Sequence, residues 1–166
     1  ELEHLGTLDE LIGNIAGGSS STAPAQNVRS VDRDGRIAEL LREGMAMSAT
    51  LRGLVAGVRD AVEYEPGSTG GSHSAAEVLE LGFGVCQDQA HVFVACCRAA
   101  GIPARYVSGY FYTGETGEVA SHAWVDAWIG GDEGWLSLDV THGEAAGAAH
   151  CRLAVGRDYL DAAPVR

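Results

Sequence analysis

LGFGVCQDQAHVFVACCRAAG, residues 81–101, decides how the rest of the chain is read. Gly82 and Gly84 punctuate its start, Cys86 follows, and an apolar run then ends at Gly101. The spacing predicts a helix over 86–100 with Cys86 in its first turn. Ala90, Phe93, Val94 and Cys97 mark one face, and Val92, Ala95 and Cys96 make the other side apolar, so burial on most sides is expected. Gly101 reads as the C′ residue and Pro103 bars continuation. A thiol at a helix start lies among unpaired backbone N–H groups, at the positive end of the helix dipole. Such surroundings favour thiolate, bringing a cysteine from about 8.5 to roughly 3.5–7.5. A cysteine placed this way calls for a histidine partner.

Downstream the apolar period changes from helical to alternating. Residues 102–112, IPARYVSGYFY, are β-branched and aromatic and read as a strand. A turn-rich connection leads to a second strand over 121–129 and a third over 135–140, joined across GGDEG; 150–155 is a fourth. In the second strand His122, Trp124, Asp126 and Trp128 share a face; in the third Trp135, Ser137 and Asp139 do. Antiparallel partners have a constant sum of residue numbers. A sum of 261 sets His122 opposite Asp139 across a two-residue Gly-Gly turn, and 263 sets them diagonally across a four-residue turn. Either register leaves both on one face.

Upstream, residues 1–16 are mildly amphipathic, and GGSSSTAPAQN, residues 17–27, reads as a flexible linker. Helices are expected over 32–47 and 49–62 from apolar residues at helical spacing. A loop over 65–72 precedes Ser74-Ala-Ala-Glu77, a capping box that opens a short helix to about residue 81. Helices followed by antiparallel strands make an α+β chain. The expected division is an N-terminal segment, 1–30, and one domain, 31–166.

Composition removes whole classes of function. A net charge of −12, from 23 acidic and 11 basic residues, argues against a nucleic-acid partner. No apolar run approaches the ~20 residues of a membrane helix. The four cysteines, three of them in one expected helix, form no disulfide framework and fit a reducing, cytoplasmic setting. No cysteine pair has the C-x₂₋₄-C spacing of structural zinc, so no metal or cofactor is expected. The first residue is Glu1 rather than Met, and the chain is expected to be a piece of something longer.

The chemistry these residue types allow is acyl transfer through a thioester. Cys86 is the candidate nucleophile, His122 the general base and then acid, and Asp139 the group that fixes the imidazole tautomer. The Cys86 backbone N–H is the first candidate oxyanion donor; Gln87, Tyr106 and Trp124 are further donor or supporting candidates by type. His91 is expected on another side of the helix and partly exposed, and His142 and His150 read as surface residues beside a Gly/Ala-rich loop. The rival reading is a binding domain in which Trp124, Trp128 and Trp135 form an exposed docking face.

The blocks GVCQDQAHVFVACCRAAGIPARYVSGY (84–110), SHAWVDAW (121–128), GWLSLDVTHG (134–143) and HCRLAVGRDY (150–159) resemble the transglutaminase-like superfamily, in its bacterial branch of candidate cysteine proteases. The resemblance covers about residues 51–166. It implies a papain-like fold, with the cysteine-bearing helix on an antiparallel sheet, and places the family's catalytic residues at Cys86, His122 and Asp139. It also implies a peptide or protein amide substrate. Hydrolysis is the expected outcome, with protein-glutamine transamidation and a non-catalytic binding domain as alternatives. Where the family usually reads D-P-T-N, this chain reads Asp139-Val140-Thr141-His142 and so lacks the rigid proline.

Overall fold

A computed structural model describes residues 47–70, 73–114, 117–130 and 134–163. The expected helix at 1–16, the linker at 17–27 and nearly all of the helix at 32–47 lie outside the described residues.

Helix α1 (Met47–Ala61) buries Leu51, Leu54, Val55 and Val58, the stripe that its period demands. A two-residue strand β1 (Glu63–Tyr64) leaves it and pairs in parallel with β2 (Phe83–Gly84). Between them lies α2 (Ala75–Leu81). Its capping box is formed in full: Glu77 N–H donates to Ser74 Oγ and Ser74 N–H to Glu77 Oε2, at 3.3 and 2.7 Å.

Helix α3 (Cys86–Ala99) is buried continuously from Asp88 to Cys97. No side-chain oxygen of Val85 caps it; the Asp88 carboxylate reaches back to accept the Val85 N–H at 2.9 Å. Gly84 makes room for this, because a Cβ there would stand 2.8 Å from the Asp88 Cβ. At the other end Ile102 N–H donates to Cys97 O and Gly101 N–H to Arg98 O. With Gly101 at φ 71 this is a Schellman motif at the expected C′ residue.

The sheet has the order β6-β5-β4-β3-β7, with β3 (Ala104–Tyr112), β4 (Val119–Gly130), β5 (Gly134–Asp139), β6 (Glu144–Ala145) and β7 (His150–Gly156). All neighbours are antiparallel. Strands β3 to β5 are the first three expected strands and form an antiparallel meander, which β6, not expected from the sequence, continues. The last strand departs from it: β7 crosses to the opposite edge and pairs with β3. Tyr106, Ala123, Val125, Ala127 and Leu138 face α3 and build the core with it. A short helix α4 (Tyr159–Ala162) follows β7, and the Ser108 hydroxyl donates to Ala162 O.

The β4–β5 register has a constant sum of 263 from Val125↔Leu138 to Trp128↔Trp135, then shifts to pair Gly130 with Gly134. This is the wider of the two expected registers. Its physical reason is the Trp128–Trp135 pair at the hairpin end, whose rings meet edge to face at 5.4 Å. A sum of 261 would set Trp135 against Asp126 instead.

Candidate active site

Asp139 ends β5 with no exposed side-chain surface, and its Oδ2 accepts the His122 Nε2–H at 2.7 Å. Extending the 263 register makes this pair diagonal, as one of the two sequence alternatives required. His122 has 7% of its side chain exposed. With Nε2 committed to Asp139, Nδ1 is the nitrogen left to face Cys86, the half-buried first residue of α3. Burial alone would lower the His122 pKa. Hydrogen bonding to Asp139 and the neighbouring Cys86 side chain overcome it and raise the pKa to about 9. The structure thus brings Cys86, His122 and Asp139 together.

Two more histidines converge on the same carboxylate oxygen. His142 Nδ1 lies 2.7 Å and His150 Nε2 2.8 Å from Asp139 Oδ2, while the His142 backbone N–H donates to Oδ1 at 3.1 Å. Burial pushes the Asp139 carboxyl up, but hydrogen bonds from His122, His150 and His142 hold it well below the usual carboxylate range. The reading of His150 as a surface residue is therefore corrected, while His142 lies at the surface as expected. His142 is half-exposed yet bound, and His150 has only 3% of its side chain exposed. Strands β5 and β7 have two others between them, so in a flat sheet they would stand about 14 Å apart. The curl of the sheet brings the end of β5 to the start of β7, and nothing in either strand's sequence announces it.

Phe111, on β3, sits amid this cluster. It stacks on His142 with centroids 4.4 Å apart and meets His150 and His122 at 4.9 and 5.5 Å. Trp124 lies against His122 and stands edge-on to His150, at 6.2 and 5.1 Å. It is buried, and its Nε1 is buried without a hydrogen-bond partner among the described residues. Trp124 is thus a wall behind the imidazoles and is not on a docking face; of the three tryptophans only Trp128 and Trp135 are exposed.

Two sequence candidates remain, Gln87 and Tyr106. Gln87 is half-buried beside Cys86 in the first turn of α3. Tyr106 is buried under α3; burial first, and then the adjacent Cys86, push its phenol well up. His91 corrects a further expectation, since it is fully buried. Its Nε2 accepts the Tyr159 N–H at 3.0 Å, so α4 covers the side of α3 that local sequence left open. Burial chiefly, with Arg98 helping and Asp88 opposing, lowers its pKa to about 4.

His122, Asp139 and His150 bring their ligand atoms within 4.8 Å of one another, close enough to raise the question of a metal. The tautomer answers it. Gly147 N–H donates to His150 Nδ1 at 3.1 Å, so the proton of that ring sits on Nε2 and points at Asp139. A metal ligand needs the Nε2 lone pair, with Nδ1–H donating outward. The cluster is arranged as donors around an anion, which does not fit a cation.

Beside the cluster Asp126 is buried and takes Arg152 in bidentate fashion, at 2.5 and 2.8 Å. It also accepts Arg105 Nε at 2.9 Å and the Ser137 hydroxyl at 2.5 Å. Burial would raise its pKa, but these partners lower it. One carboxylate so ties β3, β5 and β7 to β4.

The profile of the transglutaminase-like superfamily matches residues 36–140. The chain belongs to this superfamily. Within it, an uncharacterized protein of Mycobacterium leprae is 41% identical over 114 residues, covering 65% of this chain and 40% of that protein. A candidate cysteine protease of Cytophaga hutchinsonii has a solved structure that superposes with a TM-score of 0.72 at 28% identity, over 95% of this chain and 50% of that one. A protein-glutamine gamma-glutamyltransferase of Pseudomonas aeruginosa is 34% identical over 91 residues, 49% of this chain and 13% of that enzyme. The chain thus spans 40% of the length of its mycobacterial relative. The α+β transglutaminase-like fold, with the cysteine-bearing helix on an antiparallel sheet, is the expected one.

Proposed function

We propose that the chain is a cysteine-dependent acyl-transfer enzyme that cleaves amide bonds of a peptide or protein substrate, with water as the acceptor. The observation that carries this reading is His122 held between Asp139 and Cys86 with its pKa raised to about 9. Cys86 Sγ attacks the amide carbonyl carbon, and the resulting oxyanion turns toward the Cys86 backbone N–H, which helix geometry leaves without an intrahelical acceptor. His122 delivers its proton to the leaving nitrogen, the C–N bond breaks, and a thioester remains. Water then attacks the thioester, His122 takes its proton, and the acid departs as the thiol–imidazole pair is restored. Asp139 keeps Nε2–H in place throughout. Gln87, which follows Cys86 in the chain, and Tyr106, whose phenol is influenced by the Cys86 thiol, are the candidates for a second oxyanion donor.

The likeness to a protein-glutamine gamma-glutamyltransferase favours one second reading, in which an amine replaces water at the thioester. A cytoplasmic setting, where the thiols of Cys86, Cys97 and Cys151 would stay reduced, is part of this reading. Among the described residues no helix is long and apolar enough to cross a membrane.

The test is mass-spectrometric trapping of a thioester on Cys86 with a panel of glutamine-containing and backbone-amide peptides, with and without a primary amine. A trapped adduct that water resolves supports hydrolysis. One that only the amine resolves supports transamidation. No adduct on any peptide, with Cys86→Ala indistinguishable from the parent, sinks both.

A further inference from the structure

His150 makes polar contacts with both of its ring nitrogens, and together they define its state. Nε2 lies 2.8 Å from Asp139 Oδ2, and Nδ1 accepts the Gly147 N–H at 3.1 Å. The turn is closed in both directions, because the His150 N–H donates to Gly147 O at 2.9 Å. The ring therefore presents one proton, on Nε2, to the oxygen that also receives His122. Phe111 and Trp124 contact His150 on two sides and contact His122 as well. Two residues along β7, Arg152 is anchored on Asp126, which fixes the strand that carries the ring.

We propose that His150 is a positioning residue, which holds the Asp139 carboxylate so that His122 keeps Nε2–H on Asp139 and Nδ1 toward Cys86. A carboxylate held by one imidazole is free to rotate about its Cβ–Cγ bond. With His150 on Oδ2 and the His142 N–H on Oδ1, both oxygens of Asp139 are pinned. His142 supplies the outer contact from a half-exposed position, whereas His150 supplies the inner one from a buried position. The tautomer that Gly147 imposes is the one this task requires, and the reverse of the one a metal requires.

The proposal rests on the acyl-transfer reading, so its test includes readouts that do not need turnover. Two variants divide the outcomes. His150→Leu keeps bulk and loses both hydrogen bonds; His150→Gln keeps an N–H for Asp139 and an oxygen for Gly147. On the best peptide substrate, His150→Leu should lower kcat by about 10²-fold with KM within about threefold, as expected for a misplaced base. His150→Gln should recover most of that loss. Two measurements apply even if no substrate is found. The alkylation rate of Cys86 and the nitrogen shifts of a labelled His122 ring should change in His150→Leu and return in His150→Gln. A natively folded His150→Leu protein with parental Cys86 alkylation and parental His122 shifts would overturn the proposal. So would equal losses in both variants, which would mark packing alone. Stoichiometric zinc binding by the parent chain, abolished in His150→Leu, would overturn it too by reversing the tautomer. Turnover absent in the parent but with these signals as expected would sink the catalytic reading and leave the positioning intact.

Discussion

The Thr141 hydroxyl donates to Gln89 Oε1 at 2.8 Å, and this contact ties the turn after Asp139 to the helix that carries Cys86. Gln89 stands three residues along α3 from Cys86, and its Nε2–H donates to Val62 O at 2.9 Å. The amide is buried and uses both ends, so it acts as a strut between three segments. Thr141→Val keeps the shape and removes the donor, leaving Gln89 Oε1 unsatisfied. We expect a loss of about 2 kcal/mol of stability by denaturant unfolding and a roughly tenfold fall in kcat as nucleophile and carboxylate lose their fixed spacing. Thr141→Ser, which keeps the hydroxyl, should recover most of the kcat. A Val variant with unchanged kcat would mean that the strut serves stability only.

The raised His122 pKa sets a pH limit. The imidazolium must be present to protonate the leaving nitrogen, so kcat/KM should fall as pH rises through about 9. The stability linkage has the same sign. The folded value lies above the unfolded one of about 6.5, so the His122 contribution is full below that value and is lost as pH rises through about 9. Asp139 behaves oppositely: its carboxyl is held low, so its contribution is full above about 4 and is lost as pH falls below the usual carboxylate range. Buried neutral His91, held at about 4, adds a contribution that is lost as pH falls from about 6.5, so urea midpoints from pH 3 to 10 should peak near 6.5. In Asp139→Asn the alkaline limb of kcat/KM should move toward about 6.5; a limb that stays put would assign it to another group.

How much of this could be read in the chain depends on the range of each interaction. The Ser74–Glu77 box, the Gly101 terminus and the alternation that put His122 and Asp139 on one face are local rules, and the fold obeys them. His91 and His150 escaped because their partners are set by the return of the chain. Tyr159, which caps His91, is 68 positions away, and His150 reaches Asp139 only because β7 joins the far edge of a curled sheet. The substitution of His142 where the family usually has asparagine was visible, but its meaning required knowing that its Nδ1 turns back on Asp139. The register was left between two values by the glycine-rich turn and is decided by the tryptophan pair beside it.

Thiol chemistry separates the four cysteines. Cys96 and Cys97 are buried and Cys151 is exposed, while half-buried Cys86 stands beside the His122 imidazole. With iodoacetamide at neutral pH we expect one fast phase from Cys86, a slower one from Cys151, and none from Cys96 and Cys97 until unfolding. Peptide mapping assigns the phases. Cys86→Ala should remove the fast phase alone, and His122→Ala should slow it by at least about tenfold, since the base that takes the proton is gone. Equal rates for Cys86 and Cys151 would count against an activated nucleophile.

Gly109 tests whether the wall behind His122 matters. A Cβ at this position would stand 2.1 Å from Cys151 O and 2.6 Å from the Trp124 ring. The first contact is with backbone, where β7 shifts register against β3, so neither side yields cheaply. Gly109→Ala must push Trp124 toward His122 or part β7 from β3, and either movement disturbs the Asp139 cluster. We expect a loss of about 3 kcal/mol, the upper end for overpacking, together with slower alkylation of Cys86. Gly53, in the middle of α1 on its exposed side, has nothing within 4 Å of the same built Cβ. Gly53→Ala should instead stabilise by about 0.5–1 kcal/mol through helix propensity and leave Cys86 alkylation unchanged. Opposite signs in the two glycine variants, read by thermal unfolding and alkylation together, are what a tightly walled site requires; a harmless Gly109→Ala would show that Trp124 has room to move.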